Sequence, residues 1–319
     1  MTATTSDTTS GPSTGASGAA PTGRGTHGAW WAPYVFLAPY LVLFLVFVAA
    51  PAIYGLWISL HQWEFFGAPI FLGLENYARL FEAGSQRGAA FWMSMRATGI
   101  FVVLSVPLLL VLPLLVALVL NLRLRGRTFF RAVYFTPYVL GVAVVGLLWR
   151  FLGDPNIGAI NFLLGRLGLS SNIPWTTALP WGWILLVVLT VWWTLGFNTV
   201  IYLAGLQEIP RDQYEAASVD GANAWNRFWH ITLPGLRRVL VFVVTVTVLA
   251  SANMFGQAFL VTQGAPGNRT RTAVMLIAEE GLGQFRLGSA AAMSYILALF
   301  LMATSLVMWW FFRRWEDDA

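Results

Sequence analysis

The chain has 319 residues, of which 57% are hydrophobic and only 10% are charged, with a net charge of +5 and a mean hydropathy of +0.67. A soluble domain usually carries about 25% charged residues, so this composition excludes an ordinary water-soluble protein. The chain has no cysteine, which excludes a disulfide framework and a thiolate metal site.

The first segment in chain order, residues 1–28, consists mainly of Ser, Thr, Gly, Pro and Ala. Such a composition cannot bury enough apolar surface to order itself, so we predict a disordered tail. A cleaved signal peptide is the alternative, but the apolar stretch that follows is about twice as long as the apolar region of a signal peptide. We therefore expect the first span to remain in the mature protein and residues 29–319 to form one membrane domain.

Six long stretches lack acidic and basic residues and are rich in Leu, Val, Ile, Phe and Trp. A helix that crosses a bilayer needs about 20 such residues, so each stretch predicts one transmembrane helix. The stretches are residues 31–63, 97–122, 132–149, 167–207, 239–268 and 287–312. In the fourth, a polar beginning suits an aqueous loop, and the helix is predicted at about 180–206. The sequence thus predicts an all-α membrane protein with six transmembrane helices.

The orientation in the membrane follows from the short loop between the second and third stretches. Arg123, Arg125, Arg127 and Arg131 lie there within nine residues. Short cytoplasmic loops carry an excess of basic residues, so this loop is predicted to be cytoplasmic. Alternation of six spans then places both termini and the fourth loop, at about 207–237, in the cytoplasm.

The predicted spans lack the groups that several other functions need. None contains Asp, Glu, Lys or Arg, and a proton-coupled transporter usually has an ionisable residue at membrane depth. His27, His61 and His230 are the only histidines and lie outside the predicted membrane core, so neither a metal site nor an intramembrane hydrolase is predicted. Without lysine the chain cannot form a GxxxxGK[ST] phosphate loop. We expect no enzyme activity and no cofactor, with any ATP hydrolysed by another chain.

Neutral polar side chains in the fourth and fifth spans could contact a neutral, hydroxylated solute. They are Thr190, Thr194, Asn198, Thr245, Thr247, Ser251, Asn253 and Gln257. The alternative is that they form hydrogen bonds between neighbouring helices. Residues four apart share one face of a helix, so Asn253 and Gln257 rank first as pathway residues, together with Asn198.

The fourth loop is predicted to form two short helices. Pro210 fits the first turn of one helix, and Gly221 can take the left-handed conformation that ends it. Asn223 can cap a second helix over about 224–230, and Pro234 marks the turn into the fifth span. Such a charged and aromatic loop suits docking on a protein partner, and an amphipathic loop that lies against lipid headgroups is the alternative.

A longer pattern in this loop identifies a family. The residues are Glu215-Ala216-Ala217, then Gly221, then Ile231, and then Leu233-Pro234. Their types and spacings resemble the EAA loop of permease subunits of binding-protein-dependent ABC importers. In that family the loop is a coupling helix that binds in a cleft of the ATPase subunit. The resemblance implies that Glu215, Ala216, Ala217 and Gly221 contact an ATPase, with Asp212, Tyr214, Ile231, Leu233 and Pro234 in the same element.

Other segments resemble the carbohydrate branch of these permeases, the maltose and glycerol-phosphate type. They are residues 71–77 with 80–81, 125–131, 137–138, 204–206 with 209–210, and 286–290. The resemblance covers about residues 31–314. One departure is the sequence TQGAP at 262–266, where the branch commonly has a TxGGP turn, and the loop after it contains Glu279 and Glu280. For this reason no substrate-binding residues are carried over.

The resemblance implies a type I ABC importer transmembrane domain in a bacterial cell membrane that imports a di- or oligosaccharide by alternating access. It also implies a second permease subunit, two ATP-binding subunits and an extracytoplasmic solute-binding protein, with no metal and no nucleic acid. The alternative from another class is an ATP-independent secondary transporter or channel. A membrane-bound enzyme or assembly scaffold is a third hypothesis, for which the sequence offers no catalytic group.

Overall fold

The structure is a computed structural model that describes residues 31–64, 67–122 and 126–317. The predicted tail at 1–28, and Arg123 and Arg125 of the predicted basic loop, lie outside the described residues. By internal contacts the chain divides into two compact units, Met1–Ala52 and Ile53–Ala319.

Four helical stretches in the described part of the chain are long and apolar enough to cross a membrane. The first consists of α1 (Ala32–Phe44), a π-helical segment (Leu45–Ala49) and α2 (Ala50–Ser59). The others are α4 (Gln86–Asn121), which follows the short helix α3 (Glu75–Phe81), then α8 (Trp181–Glu208) and α14 (Leu287–Asp317). Spans one, two, four and six are therefore confirmed.

The third and fifth predicted spans are bent. In the third, α5 (Arg127–Val139) and α6 (Val142–Leu152) meet at an angle of 94°. Pro137 lies in the last turn of α5, where it cannot donate a backbone hydrogen bond, and Gly141 begins the next helix with an extended backbone. The third span, predicted as one helix over 132–149, thus consists of two helices, and the bent pair can still form one span.

The fifth span is bent at its beginning and interrupted near its middle. Its helix α12 (Arg237–Ala252) makes an angle of 70° with the preceding segment, Ala224–Gly235. The helix ends at Ala252, and a π-helical segment, Ala258–Thr262, follows after a break. With each bent pair counted as one span, the described residues contain the six predicted spans.

Helix α8 is the central helix of the unit Ile53–Ala319. Toward its beginning Leu185, Leu186 and Leu189 pack with Phe101 of α4, and toward its end Tyr202 packs in a second cluster that includes residues of α4 and α12. Lipid tails are as apolar as leucine, so close packing rather than escape from water holds such helices together. Close approach of α5 to α8 occurs at Gly196, where a β-carbon would lie 2.4 Å from the carbonyl oxygen of Tyr134.

Short elements that the sequence did not predict lie between the first two spans. Strands β1 (His61–Gln62) and β2 (Ile70–Phe71) pair antiparallel. The side-chain nitrogen of Asn76 in α3 donates to the carbonyl oxygens of Ser59 and His61, both at 2.9 Å. The strand region also contacts the start of α14, because the backbone nitrogen of Leu287 donates to the carbonyl oxygen of Trp63 at 2.9 Å.

Further short elements connect the later spans. Helix α7 (Ala159–Arg166) follows the third span, and α13 (Ala273–Ala278) with a π-helical segment (Glu279–Gly283) follows the fifth. Glu280 in that π segment is only 4% exposed. Oε1 of its carboxylate accepts a hydrogen bond from the hydroxyl of Ser289 at 2.9 Å. The same oxygen lies 3.4 Å from Nε of Arg87 and 3.5 Å from Nη1 of Arg286. This cluster joins the beginnings of α4 and α14.

Candidate functional site

The EAA pattern lies on two short helical arms between α8 and α12. The first arm is α9 (Arg211–Val219). The second consists of α10 (Ala224–Arg227), a π-helical segment (Phe228–Thr232) and α11 (Leu233–Gly235). We call residues 210–236 the EAA module. The predicted pair of helices is thus present, although the second arm is part α-helical and part π-helical.

The first arm presents the predicted contact residues to the exterior of the chain. Glu215 and Ala216 are exposed, whereas Ala217 and Tyr214 are half-buried. Asp212 lies in the first turn, where its negative charge interacts favourably with the positive end of the helix. Pro210 is the cap residue directly before the helix, one position before the first turn in which it was predicted.

Gly221 ends the first arm in the predicted left-handed conformation, with φ of +75°. Its backbone nitrogen donates to the carbonyl oxygen of Ser218 at 3.2 Å, and that of Ala222 donates to Ala217 at 2.8 Å. These two bonds form a Schellman motif. Among the described residues none has an atom within 4 Å of the place where a β-carbon would lie at Gly221. Glycine is therefore needed for its backbone conformation and not for space.

The second arm begins at Asn223, as predicted. The side-chain oxygen of Asn223 accepts a hydrogen bond from the backbone nitrogen of Asn226 at 2.8 Å, which satisfies one of the free donors at the start of a helix. Pro234 lies in α11 directly before the 70° bend into α12. The predicted turn into the fifth span is therefore confirmed.

Two side-chain contacts join the arms. The hydroxyl groups of Tyr214 and Thr232 lie 3.0 Å apart, and Arg227 donates to the hydroxyl oxygen of Ser218 at 3.0 Å. Tyr214 and Ile231 also pack against the cluster that contains buried Leu206 and Leu236. Tyr214 and Ile231 therefore attach the module to the spans. The roles of Thr232, Ser218 and Arg227 were not predicted, because no pattern in the sequence indicates them.

An open groove of about 690 Å³ lies beside the module. Its lining residues come from the end of α8, the beginning of α9 and the bend before α12. They are Glu208, Ile209, Pro210, Gln213, Pro234, Gly235, Arg237, Arg238 and Val239. The groove combines acidic, basic and amide side chains, which suits a polar protein surface better than a hydrophobic ligand.

The three predicted pathway residues have different surroundings. Asn198 is buried, and its side-chain nitrogen donates to the carbonyl oxygen of Leu109 at 3.0 Å and to the hydroxyl of Thr247 at 3.4 Å. It therefore joins α8 to α4 and α12. Asn253 is exposed directly after α12, and Gln257 is half-buried before the π segment. The prediction that Asn253 and Gln257 share one helix face is wrong, because the helix ends at Ala252.

Most of the other polar side chains in spans four and five have partners within the bundle. Thr190, Thr194 and Thr245 each donate to the carbonyl oxygen four residues earlier at 2.8 Å. Ser251 pairs with Ser105 of α4 at 3.4 Å. For these residues the alternative interpretation, hydrogen bonding within and between helices, describes the structure.

Comparison with known proteins places the chain among transport proteins. The family described as binding-protein-dependent transport system inner membrane component matches residues 83–317. The arabinooligosaccharides transport system permease protein AraP of Bacillus subtilis is 34% identical over 279 residues, which are 86% of this chain and 87% of that protein. The trehalose/maltose transport system permease protein MalF of Thermococcus litoralis is 35% identical over 270 residues, or 83% and 89% of the two chains.

Solved structures agree with the fold. A crystal structure of a bacterial ABC transporter involved in the import of the acidic polysaccharide alginate superposes with a TM-score of 0.77 at 24% identity, covering 89% of this chain and 96% of that chain. A second crystal structure of an alginate transporter, in complex with a pentasaccharide-bound periplasmic protein, gives a TM-score of 0.76 at 23% identity, covering 87% and 92%. The all-α importer fold predicted from the sequence is confirmed.

The family match covers the EAA module and five of the six spans, and the relatives extend the similarity over most of the rest of the chain. The protein is therefore a member of the family of inner membrane components of binding-protein-dependent transport systems, the permeases that the EAA pattern indicated.

Proposed function

We propose that the chain is the permease subunit of an ATP-driven importer that carries a di- or oligosaccharide into the cell by alternating access. The observation that carries the proposal is the EAA module, in which Glu215 and Ala216 are exposed while Tyr214 and Ile231 attach it to the spans. The names of AraP and MalF, which specify arabinooligosaccharides and trehalose or maltose, support a sugar as the solute.

The proposed partner of the module is a separate ATPase subunit. The chain lacks lysine and hence a phosphate loop, so the energy of ATP must reach it through a protein contact. In the proposed complex, Glu215, Ala216, Ala217 and Gly221 face the ATPase. Two such subunits serve two permeases, this chain and a second one. Residues 207–237 and both termini are cytoplasmic in this arrangement.

The proposed solute donor is an extracytoplasmic binding protein that docks at the opposite membrane face. One of the similar crystal structures contains a periplasmic protein bound to a pentasaccharide. The segments 61–81 and 273–286 would form the docking face, since the six-span order places both outside the cell. The antiparallel bridge between Glu64 and Arg286 joins these two segments.

The proposed pathway passes the breaks in the third and fifth spans. Irregular backbone at membrane depth is tolerated where it is buried in protein or lines a cavity, and interrupted helices form substrate sites in other transporters. The two breaks are adjacent, because a β-carbon at Gly256 would lie 2.5 Å from a methyl carbon of Val142. Asn253 and Gln257 would contact the sugar, and Asn198 would hold α4, α8 and α12 around it.

Replacing Asn253 with alanine is expected to weaken sugar uptake while binding of the ATPase is unchanged. One neutral hydrogen bond contributes about 1 kcal/mol, which corresponds to an increase of about fivefold in the half-saturating sugar concentration. The measurement is uptake of labelled sugar by vesicles over a range of concentrations. Asn156→Ala, in the exposed loop before α7, is the control. Equal uptake by both variants would remove Asn253 from the pathway.

Co-purification tests the function as a whole. An ATPase subunit should co-purify with the wild-type chain, and Glu215→Lys combined with Gly221→Pro should abolish both this association and sugar uptake. Lysine reverses the charge at the contact, and proline cannot adopt the positive φ of Gly221. Uptake is measured with a panel of labelled di- and oligosaccharides.

A matched double variant separates loss of the contact from loss of folding. Glu82→Lys with Gly84→Pro makes the same changes in an exposed loop between α3 and α4, where Gly84 has φ of +91°. This control should retain the ATPase. If no ATPase associates with the wild type and uptake survives in the Glu215 variant, the importer proposal is overturned in favour of an ATP-independent transporter or channel.

A further inference from the structure

Three aromatic side chains form a cluster on the second arm of the EAA module. Trp225 is 66% exposed and Trp229 is 47% exposed, and their ring centroids lie 5.6 Å apart in an edge-to-face arrangement. Phe228 lies 5.5 Å from Trp229 and 6.3 Å from Trp225. The EAA pattern includes none of these residues, and the proposed ATPase contact does not use them.

Trp225 and Trp229 are exposed, whereas Phe228 is half-buried. Thr232 and Ile231 on the same arm are buried or half-buried, and they contact Tyr214 and the cluster around Leu236. Exposed tryptophans at adjacent positions on one helix are unusual for a surface in water and mark a site of interaction.

The bend before α12 indicates which surface this cluster meets. The segment Ala224–Gly235 makes an angle of 70° with α12, and α12 is the apolar part of the predicted fifth span. Transmembrane helices are tilted on average by about 20° from the bilayer normal. The second arm therefore runs close to the membrane plane, and it does so at the end of a span, where the headgroup region lies.

The charges of the second arm also suit the headgroup region of a membrane. Residues 223–238 contain Arg227, Arg237 and Arg238 and no acidic residue. The first arm, by contrast, carries Asp212 and Glu215 among exposed residues and has no aromatic side chain besides the half-buried Tyr214. Tryptophan is enriched at the headgroup level, and basic residues near the membrane surface are attracted to anionic lipids.

We propose that Trp225, Phe228 and Trp229 form a lipid-contact face that inserts into the headgroup region of the leaflet in which α12 begins. Arg237 and Arg238, at the start of α12, add positive charge that favours anionic headgroups. The two arms thus have different partners: the aromatic second arm rests on the bilayer, and the exposed residues of α9 remain available to a protein. The inference requires that α12 crosses the membrane and does not depend on the ATPase.

Spin labelling in a bilayer tests this assignment. The chain has no cysteine, so Trp225→Cys and Trp229→Cys each create one labelling site for a nitroxide. Each labelled permease is placed, without ATPase, in nanodiscs of phosphatidylcholine and phosphatidylglycerol. The accessibility of the label to oxygen, which dissolves in lipid, is compared with its accessibility to a water-soluble nickel chelate. Labels at both positions should show a several-fold higher ratio of oxygen to nickel accessibility than two controls.

The controls are His230→Cys on the same arm and Val219→Cys on the first arm, both at exposed positions. His230 is rotated by about 140° from Trp225 and by about 100° from Trp229 around the helix, so a label there should favour the nickel chelate. Equal, water-like accessibility at all four positions would overturn the proposal. So would labels at 225 and 229 that become immobile and shielded from both reagents only after an ATPase is added, since that result identifies a protein contact.

Discussion

Valine in place of Gly196 should destabilise the packing of α5 on α8 more than any other single change considered for this protein. A β-carbon at Gly196 would lie 2.4 Å from the carbonyl oxygen of Tyr134 and 2.7 Å from the α-carbon of Phe135. Both atoms belong to the backbone, so rotation of a side chain cannot relieve the clash. Overpacking costs about 1–3 kcal/mol when neighbours can shift, and a backbone shift within a bundle places this variant at or above that range.

The measurement is the thermal unfolding of the purified protein in detergent, together with the yield of monodisperse material. Gly99→Val in α4 is the matched control, because no described residue has an atom within 4 Å of the β-carbon position at Gly99. Gly99→Val should unfold close to the wild-type temperature, whereas Gly196→Val should unfold well below it. Similar unfolding temperatures for the two variants would show that α5 does not approach α8 as closely as described.

Glu280→Gln is expected to loosen the cluster that joins the beginnings of α4 and α14. The glutamate side chain is 5% exposed, and glutamine leaves Arg87 and Arg286 without the negative charge they share. Removing one partner from a fully buried ion pair costs about 3–5 kcal/mol. The two arginines are 37% and 41% exposed, so water compensates part of the loss, and about 2 kcal/mol is expected.

Hydrogen exchange followed by mass spectrometry gives the local readout. Peptides that cover 61–71 and 279–289 should exchange faster in Glu280→Gln, whereas peptides from the EAA module should be unchanged. Glu279→Gln is the control, because Glu279 is 32% exposed and its partner Arg271, at 3.2 Å, belongs to the same loop. Unchanged exchange in Glu280→Gln would mean that Ser289 and the backbone contacts suffice to hold these elements.

The spans could be predicted because membrane insertion depends mainly on composition and length. Any stretch of about 20 apolar residues has nowhere else to be stable, so α4, α8 and α14 were all found. Both ends of α8 lie near those predicted, whereas α4 begins at Gln86 rather than at 97 and α14 extends to Asp317 rather than to 312. The bend at 140–141 and the interruption at 253–257 could not be predicted in the same way. Pro137 and Gly141 are tolerated in many membrane helices, and only the packing of Val142 on Gly256 shows that the bend and the interruption lie side by side.

In the candidate site, too, some features could be predicted from the sequence and others could not. The conformations of Gly221 and Asn223 are local properties, and the sequence predicted both because a helix end has few solutions. The contact between Tyr214 and Thr232 joins residues on different arms, and sequence spacing does not encode it. The role of Asn198 could not be predicted either, because an asparagine in a span can line a pathway or join helices. Its hydrogen bonds to Leu109 and Thr247 show that it joins helices.

The contacts between the two arms have a mechanical consequence. Because Tyr214 is bonded to Thr232 and Arg227 to Ser218, a force on α9 cannot be absorbed by sliding one arm past the other. The second arm makes an angle of 70° with α12. A force applied to the module therefore acts at a distance from the axis of the fifth span and tends to rotate that span. In the proposed importer, the stiffness of the module would set how many ATP molecules are hydrolysed for each sugar imported, since a flexible module would let the proposed ATPase turn over without moving the helices.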